Sequence, residues 1–321
     1  MKFSIPRSKF FAFPVIFAAF LIFQTHALAA GVLDPAFGTN GRTTASVGNS
    51  ARSAAIVVQP DGKIIVVGDI VRDATGRDIA LARFNPDGTL DSSFGDGGIV
   101  RTAISNRNDS ANAVALQPDG KIIVAGSTQP FEFPSEDFLL VRFNSNGFLD
   151  SSFGTGGIVT VNQAITDRFL AVTVQTDGKI VAAGSTSQND GEAAILRFNS
   201  NGALDQSFAN GGLYYQNLPR MTNERFQSIA LFPNNRIVVG GISFGANGYE
   251  EVIALLESNG SLVRDFGNQG VVQDAVPDVS GVQGGYDLAV MPGNKILTAN
   301  VFATRRLLNN GAPDPTFNGY S

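Results

Sequence analysis

The 321-residue sequence has no cysteine, no tryptophan and only one histidine. Without cysteine, the chain cannot form disulfides, thiolate metal sites, cysteine nucleophiles or an N-terminal lipid anchor on cysteine. The one histidine, His26, lies within the first thirty residues. If that segment is removed, no imidazole remains, which excludes serine–histidine–aspartate triads and histidine-ligated zinc. Only oxygen ligands could then hold a metal, as for Ca²⁺ or Mg²⁺. We expect no metal and no cofactor.

The first thirty residues have the pattern of a secretory signal. Lys2, Arg7 and Lys9 are followed by an apolar run, Phe10–Phe23, and by a small-x-small site at Ala27–Ala29. A membrane anchor is the alternative, but a span needs about 20 apolar residues. We therefore predict a signal peptide over residues 1–29 and no membrane span after cleavage. The mature protein would be secreted, either extracellular or, in a Gram-negative bacterium, periplasmic.

The charge of the mature chain excludes two classes of partner. Without Lys2, Arg7 and Lys9, 20 of the 23 basic residues remain against 28 acidic ones, a net charge of −8. Nucleic acids and anionic membranes both require a basic surface. We therefore expect neither as a partner, whereas the oligomeric state is left open by the sequence.

Three motifs recur in fixed order with a period near 58 residues, and such internal repeats indicate a repeat architecture. The first motif is LDxxFGxxG, whose phenylalanines are Phe37, Phe94, Phe153, Phe208, Phe266 and Phe317. The second is an apolar segment, a PDGK turn and another apolar segment, with the basic residue at Lys63, Lys121, Lys179, Arg236 and Lys295. The third is an apolar run that ends in RFNxxG, as in Ile79–Gly88.

Each motif corresponds to a turn or a strand. Pro-Asp-Gly between two short apolar runs predicts a β-hairpin, since Pro presets φ and Gly takes the positive φ of the turn. The aspartate of LDxxF is placed to accept a backbone N–H two residues on, and the phenylalanine to enter a cleft between units. Each unit thus reads as four antiparallel strands, which favours an all-β, β-propeller fold over an open β-solenoid.

The number of motif copies predicts how the propeller closes. There are five hairpins but six copies of LDxxF, and a short strand, Arg42–Ser46, precedes the first hairpin. If that strand completes the last blade, two exposed sheet edges disappear. We therefore predict one five-bladed β-propeller over residues 30–321, closed by its N-terminal strand.

The repeated motifs resemble those of a known family. LDxSFGxGG, ALQPDGKIxVAGS and RFNxDG are similar to the bacterial delta-60 repeat, a β-propeller family distantly similar to NHL repeats. The resemblance covers the whole mature chain and is strongest in the first three units. It implies a secreted or surface protein and supplies no catalytic residues to carry over.

An acidic residue precedes the third strand in four units, at Asp78, Asp137, Glu192 and Glu250. A ring of carboxylates at one end of a propeller could bind Ca²⁺ or a sugar. The alternative, which we favour, is that these residues cap strand ends or pair with a neighbouring Lys or Arg. Whether they bind an ion stays open.

Five-bladed propellers also include glycosidases that use two carboxylates. Four acidic residues lie outside the repeat pattern and could serve: Glu132, Glu136, Glu224 and Glu251. None lies in a strand-like apolar context where burial would raise its pKa. We therefore predict that the protein is not an enzyme.

The loops that differ between units are the better candidates for function. They connect the second and third strands, or the fourth strand and the next unit, and both sets are expected on one face. Four aromatic residues lie in them: Phe131, Phe133, Tyr249 and Tyr286. Exposed aromatic rings on such loops suit a protein or glycan surface. We predict a secreted binding module, with a structural envelope module without a specific ligand as the alternative.

Overall fold

The computed structural model describes nine stretches of the chain and shows a series of antiparallel β-sheets. The described residues are 32–48, 50–73, 76–131, 135–187, 191–216, 221–245, 248–275, 285–300 and 303–317. The predicted signal peptide lies outside them. Within these stretches, no helix is long and apolar enough to cross a membrane.

Five sheets, which we call blades 1 to 5, follow one another along the chain. In each blade, every strand pairs with the next one in sequence. Blade 1 contains β1 (Ala51–Val58), β2 (Ile64–Asp73), β3 (Gly76–Phe84) and β4 (Ile99–Thr102). Blade 2 contains β5 (Asp109–Leu116), β6 (Ile122–Thr128), β7 (Asp137–Phe143) and β8 (Ile158–Val161). Blade 3 contains β9 (Asp167–Val174), β10 (Ile180–Thr186), β11 (Glu192–Phe198) and β12 (Leu213–Gln216).

Blade 4 has the same plan, and blade 5 has three strands among the described residues. Blade 4 contains β13 (Met221–Leu231), β14 (Ile237–Gly245), β15 (Gly248–Leu256) and β16 (Val271–Ala275). Blade 5 contains β17 (Asp287–Met291), β18 (Lys295–Ala299) and β19 (Thr304–Leu307). The all-β fold and the repeated four-stranded unit are confirmed.

The PDGK hairpins form as their turn residues predict. Between β1 and β2, the Gly62 amide donates to the Gln59 carbonyl at 2.9 Å, and Gly62 has a φ of 83°. Asp61 Oδ1 accepts the Lys63 amide at 3.1 Å. A positive φ is costly for a residue with a Cβ, so glycine determines where the strand reverses.

The blades pack face to face, with the first strands at the centre. The first strands of neighbouring blades, β1, β5, β9, β13 and β17, contact one another in that order. The middle strands β6, β7 and β11 are buried along their whole length. Between blades 2 and 3, Phe138 and Phe169 stack with ring centroids 4.3 Å apart. The core therefore consists of apolar layers between successive sheets.

The LDxxF phenylalanines hold neighbouring blades together, as predicted. Phe94, Phe153, Phe208 and Phe266 are completely buried. Phe94, Phe153 and Phe208 each follow an Asx-turn; for example, Asp91 Oδ1 accepts the Ser93 amide at 3.1 Å. Before Phe266, Val263 takes the place of the aspartate. The ring then lies against the Asn-x-x-Gly turn of the next blade, so that a Cβ added to Gly202 would come within 3.0 Å of Phe153.

Closure of the ring by the N-terminal strand is not observed. Residues 43–47 have no strand pairing, and β19 pairs only with β18 among the described residues. Instead, the N-terminal segment packs on blade 1, where the Gly38 amide donates to the Asp87 carbonyl at 2.7 Å. The structure therefore supports about five blades, and the predicted pairing of the N-terminal strand with the last blade is not observed.

Candidate functional site

The two ends of the blades differ in chemistry. One end, which we call the turn face, carries the PDGK and Asn-x-x-Gly turns. The other, the loop face, carries the connections between second and third strands and those that lead into the next blade. The repeated charged residues lie mainly at the turn face, whereas the groups that break the repeat lie at the loop face.

The turn face contains a repeated ionic triad. Asp91 Oδ2 lies 2.8 Å from Lys63 Nζ and 2.7 Å from Arg83 Nε. Burial alone would raise the pKa of Asp91, but hydrogen bonds from Lys63 and Ser93 and the charge of Arg83 together lower that pKa well below its usual value. Asp150, Asp205 and Asp314 occupy the same place in blades 2, 3 and 5. Because the triad recurs, we assign it to the architecture.

The predicted carboxylate ring lies at the loop face. Asp78, Asp137 and Glu192 are buried, and Glu250 is half-buried. Asp137 Oδ1 accepts a hydrogen bond from Asn162 at 2.6 Å, and Glu250 accepts one from Gln273. Within the described part of the chain, no three acidic side chains are grouped so that they could hold a metal ion.

The four aromatic residues predicted for the binding face differ in how exposed they are. Phe131 is 69% exposed. Phe133 lies outside the described residues. Tyr249 is half-buried and packs edge-on against Phe244, with centroids 5.2 Å apart. Tyr286 is only 6% exposed, so the prediction of an exposed ring is wrong there. It packs between blades 4 and 5, and burial together with the Glu251 charge raises its pKa well above the usual value.

A cross-link between blades 2 and 3 supports the loop that carries Phe131. The Glu136 amide donates to the Ile165 carbonyl at 2.9 Å, and the Asp167 amide donates to the Glu136 carbonyl at 2.8 Å. The Glu136 carboxylate also accepts two hydrogen bonds from Arg168, one of them at 2.7 Å. The end of the loop is thus tied to the next blade by backbone and side chain.

The blade 3 side of this cross-link is itself anchored. Asp167 is completely buried, and its Oδ2 accepts the amides of Gln163 and Ala164 at 2.6 and 2.9 Å. Burial raises the pKa of Asp167, and the Asp137 charge adds to that rise. Asp109 holds the equivalent loop of blade 2 through the amides of Ile104 and Ser105. Asp109 and Asp167 therefore each hold in place the loop that leads into their own blade.

Polar groups that the sequence did not single out surround the cross-link. The Tyr215 hydroxyl donates to Gln163 Oε1 at 2.9 Å, and burial together with the charges of Asp167 and Glu192 raises the pKa of Tyr215 to about 12. Arg168 is exposed, as is the neighbouring Ile165. The available signal was the departure in sequence, since loop residues 162–166 differ from the equivalent loop of blade 2 at residues 103–108.

A second non-repeating group lies between blades 4 and 5. Glu251 is 1% exposed and accepts a hydrogen bond from Arg305, which also donates to Asp274. Glu224, on β13, is buried as well. The prediction that the carboxylates outside the repeat lack a strand-like buried context is therefore wrong for Glu224 and Glu251; Glu132 lies outside the described residues. Burial inside a strand depends on the neighbouring blade, which the local sequence does not show.

Comparison with known families supports the fold. A family model described as "Domain of unknown function (DUF5122) beta-propeller" matches residues 59–94, 117–153 and 175–208. The chain is thus supported as a β-propeller protein, while the finer resemblance to delta-60 and NHL repeats stays a prediction. No curated protein sequence matches the chain significantly.

Solved structures with a similar fold include several enzymes. A glucose dehydrogenase matches with 12% identity, a TM-score of 0.47 and coverage of 79% of this chain and 78% of its own. An endo-arabinase from Bacteroides thetaiotaomicron matches with 13% identity, a TM-score of 0.44 and coverage of 86% and 98%. A polysaccharide lyase, an ulvan lyase, matches with 11% identity, a TM-score of 0.44 and coverage of 80% and 64%.

These likenesses correct the prediction that the protein is not an enzyme. That prediction rested on the carboxylates outside the repeat lacking a buried, strand-like context, whereas Glu224 and Glu251 are buried and several of the similar propellers are enzymes. At such identities and TM-scores the likeness concerns the fold alone, and it assigns no activity or substrate to this chain.

Proposed function

We propose that the protein binds a glycan through its loop face, at the junction of blades 2 and 3. The observation that carries the proposal is the exposed ring of Phe131, five residues before Glu136, which is anchored to blade 3. Phe131 is 69% exposed, and an exposed aromatic ring in a connection that departs from the repeat is typical of a recognition surface.

Glu136 and Arg168 are held in place before any ligand arrives. Glu136 joins this loop to blade 3 through two backbone hydrogen bonds and an ion pair with Arg168. Side chains that are already held in place lose little conformational entropy on binding, so more of the contact energy remains for affinity. Pro130, directly before Phe131, further limits the backbone.

The chemistry around the junction suits a hydroxyl-rich ligand. Carboxylate, amide and guanidinium groups come from Glu136, Gln163 and Arg168, while Phe131 and Tyr215 supply aromatic rings. Sugar hydroxyls both donate and accept hydrogen bonds, and the C–H faces of sugars stack on such rings. A protein partner is the alternative outcome of the test.

The test compares two exposed phenylalanines on opposite faces of blade 2. Phe131→Ala changes the loop face, whereas Phe148→Ala changes the turn face, where Phe148 is similarly exposed. Both variants should keep wild-type stability within about 1 kcal/mol. Binding to an array of bacterial and plant polysaccharides should fall at least tenfold for Phe131→Ala and stay unchanged for Phe148→Ala.

Three results would refute the proposal. Equal glycan binding by both variants would move the site away from the junction of blades 2 and 3. Absence of binding to any glycan, together with saturable binding of a purified protein that Phe131→Ala abolishes, would replace the glycan with a protein. A large loss of stability in Phe131→Ala would place the ring in the core.

A further inference from the structure

A cleft opens on the outer side of the junction between blades 3 and 4, next to the turn of blade 4 that ends at Gly260. Its volume is about 440 Å³, within the range of about 300–1,000 Å³ that small-molecule sites have. Tyr214, Gly260 and Leu262, which are buried or half-buried, form its floor. Three exposed polar residues surround the floor: Ser261, Arg264 and Gln269. An apolar floor with a few polar groups at the rim is the usual construction of a binding site.

The cleft lies where a valine of the repeat is replaced by tyrosine. The second residue of the fourth strand is Val100 in blade 1 and Val159 in blade 2. A Cβ added to the turn glycine of the next blade would lie 2.8 Å from a methyl group of that valine, which therefore covers the glycine. At Gly260, none of the three nearest atoms belongs to Tyr214. The Tyr214 hydroxyl instead donates to Gln216 Oε1 at 2.5 Å, so the ring is held at the wall of the cleft.

Two residues at the cleft adopt a backbone conformation that favours glycine. Gln269, on the rim, has a φ of 54°, and Ala209, beside the turn of blade 4, has a φ of 43°. Other copies of the motif have glycine at these positions: Gly97, Gly156 and Gly211 at the first, and Gly38, Gly95, Gly154 and Gly267 at the second. A side chain at positive φ is strained, and such strain persists most often at functional sites. The long amide side chain at the rim is thus kept at a cost in stability.

Arg264 is a further departure from the repeat, and its charge is available to a ligand. The equivalent residues in the second and third copies of the motif are Ser92 and Ser151. Arg264 is exposed and forms no hydrogen bond or ion pair with the described part of the chain. The aspartate that binds the cations in the other blades is replaced here by Val263, and the neighbouring Asp265 does not line the cleft.

The cleft continues along the outer strand of blade 4. A second cavity, of about 750 Å³, shares Leu262 and Gln269 with it and extends to Asp274 on β16 and Glu250 on β15. Together the two cavities exceed the space that one small ligand needs, so they suit a short chain of linked rings. Because carboxylates lie at the far end, an acidic group of the ligand is favoured only beside Arg264.

We propose that these two cavities, which we call the outer groove, bind an acidic oligosaccharide with one uronic acid residue beside Arg264. The planar guanidinium matches a carboxylate through two parallel hydrogen bonds. The ring of Tyr214 stacks on the C–H face of a sugar, while Gln269 and Ser261 form hydrogen bonds with hydroxyl groups. The outer groove is separate from the loop-face junction that carries Phe131, and neither proposal depends on the other.

The test uses oligosaccharides that contain uronic acids, each paired with its carboxyl-reduced form, in which the acid becomes a neutral alcohol. The panel consists of oligomers of galacturonate, of mannuronate and of glucuronate-bearing xylan. Affinities are measured by isothermal titration calorimetry with the whole chain. We expect at least one acidic oligosaccharide to bind at least tenfold more tightly than its reduced form. That preference should weaken as the salt concentration rises, since the charges are at the surface.

Substitutions that restore the repeat should remove the site and keep the fold. Arg264→Ser and Tyr214→Val introduce residues that the same positions of other units already carry, so each should weaken binding at least tenfold without lowering the thermal midpoint. Gln269→Gly should weaken binding and raise the thermal midpoint, because glycine relieves the positive φ. Arg225→Ser is the matched control, since it removes the same charge from an exposed arginine of β13, and it should change neither property.

Three outcomes overturn the proposal. The first is that no acidic oligosaccharide in the panel binds more tightly than its reduced form. The second is an acid preference that Arg264→Ser and Tyr214→Val leave intact. The third is an acid preference that Phe131→Ala abolishes, which would assign the uronic acid to the loop face. Conversely, an acid preference that survives Phe131→Ala supports the outer groove even if the loop face binds no glycan.

Discussion

The sharpest test of the blade architecture is Phe153→Ala, at the centre of the junction between blades 2 and 3. The ring is completely buried, with the Arg142 guanidinium 4.5 Å above its centroid. On the other side, it lies against the Gly202 turn of blade 3. Truncation therefore removes apolar contacts with two blades and uncovers a buried cation at the same time.

The expected cost follows from the size of the cavity. Phenylalanine-to-alanine changes at buried sites cost about 3–5 kcal/mol, because the surroundings collapse only partly into the space left behind. The loss of the cation–π contact adds to the cost of removing the ring from its apolar surroundings. The expected value therefore lies in the upper half of that range, at about 4–5 kcal/mol. A domain of ordinary stability has only about 5–15 kcal/mol in total.

Urea unfolding followed by far-ultraviolet circular dichroism measures this difference, since the chain has no tryptophan to report on it. Phe148→Ala, on the same blade but exposed, is the matched control and should change the unfolding free energy by less than about 0.5 kcal/mol. A loss below about 1 kcal/mol for Phe153→Ala would refute the role of this ring as the link between blades.

Two further predictions concern the ionic triads and a glycine in β10. The folded-state pKa of Asp205 lies below its unfolded value. Its stabilising effect is therefore complete above pH 5 and is lost as the pH falls toward the folded pKa. On acid titration, Asp205→Asn should show a shallower loss of stability than wild type. Gly184→Ala would place a Cβ 1.9 Å from the Arg168 carbonyl oxygen and should cost about 1–3 kcal/mol by urea unfolding, whereas Gly285→Ala, with no neighbour within 4 Å, should be nearly neutral.

Local chemistry explains why the repeated unit could be predicted from sequence. A PDGK turn depends on a few adjacent residues, and the hydrogen bond from the Gly62 amide to the Gln59 carbonyl forms within that short stretch. The phenylalanine anchors were also predictable, because a motif that recurs in every unit must serve a contact that recurs. Phe94 and Phe153 are completely buried for that reason.

The loop-face chemistry depended on contacts between distant residues. Glu136 and Arg168 are 32 residues apart, and Glu251 and Arg305 are 54 apart. Nothing in the sequence near Glu251 indicates that a cationic side chain from the next blade will contact its carboxylate. Tyr286 was expected in solvent because its loop is variable, yet it is buried against blade 4.

The sequence alone determined the all-β repeat, the turns and the phenylalanine anchors, because each rests on backbone preferences and side-chain volume within one unit. The tertiary structure alone decided which carboxylates are buried and which aromatic ring is exposed. It also decided whether the N-terminal strand reaches the last blade. Six copies of one motif are compatible with a closed ring, but Asp314 already binds Lys295 and Arg306, the residues that the aspartate of the N-terminal copy would need in blade 5. Occupancy of a contact is a property of the packed chain, and it cannot be read from the spacing of the motif.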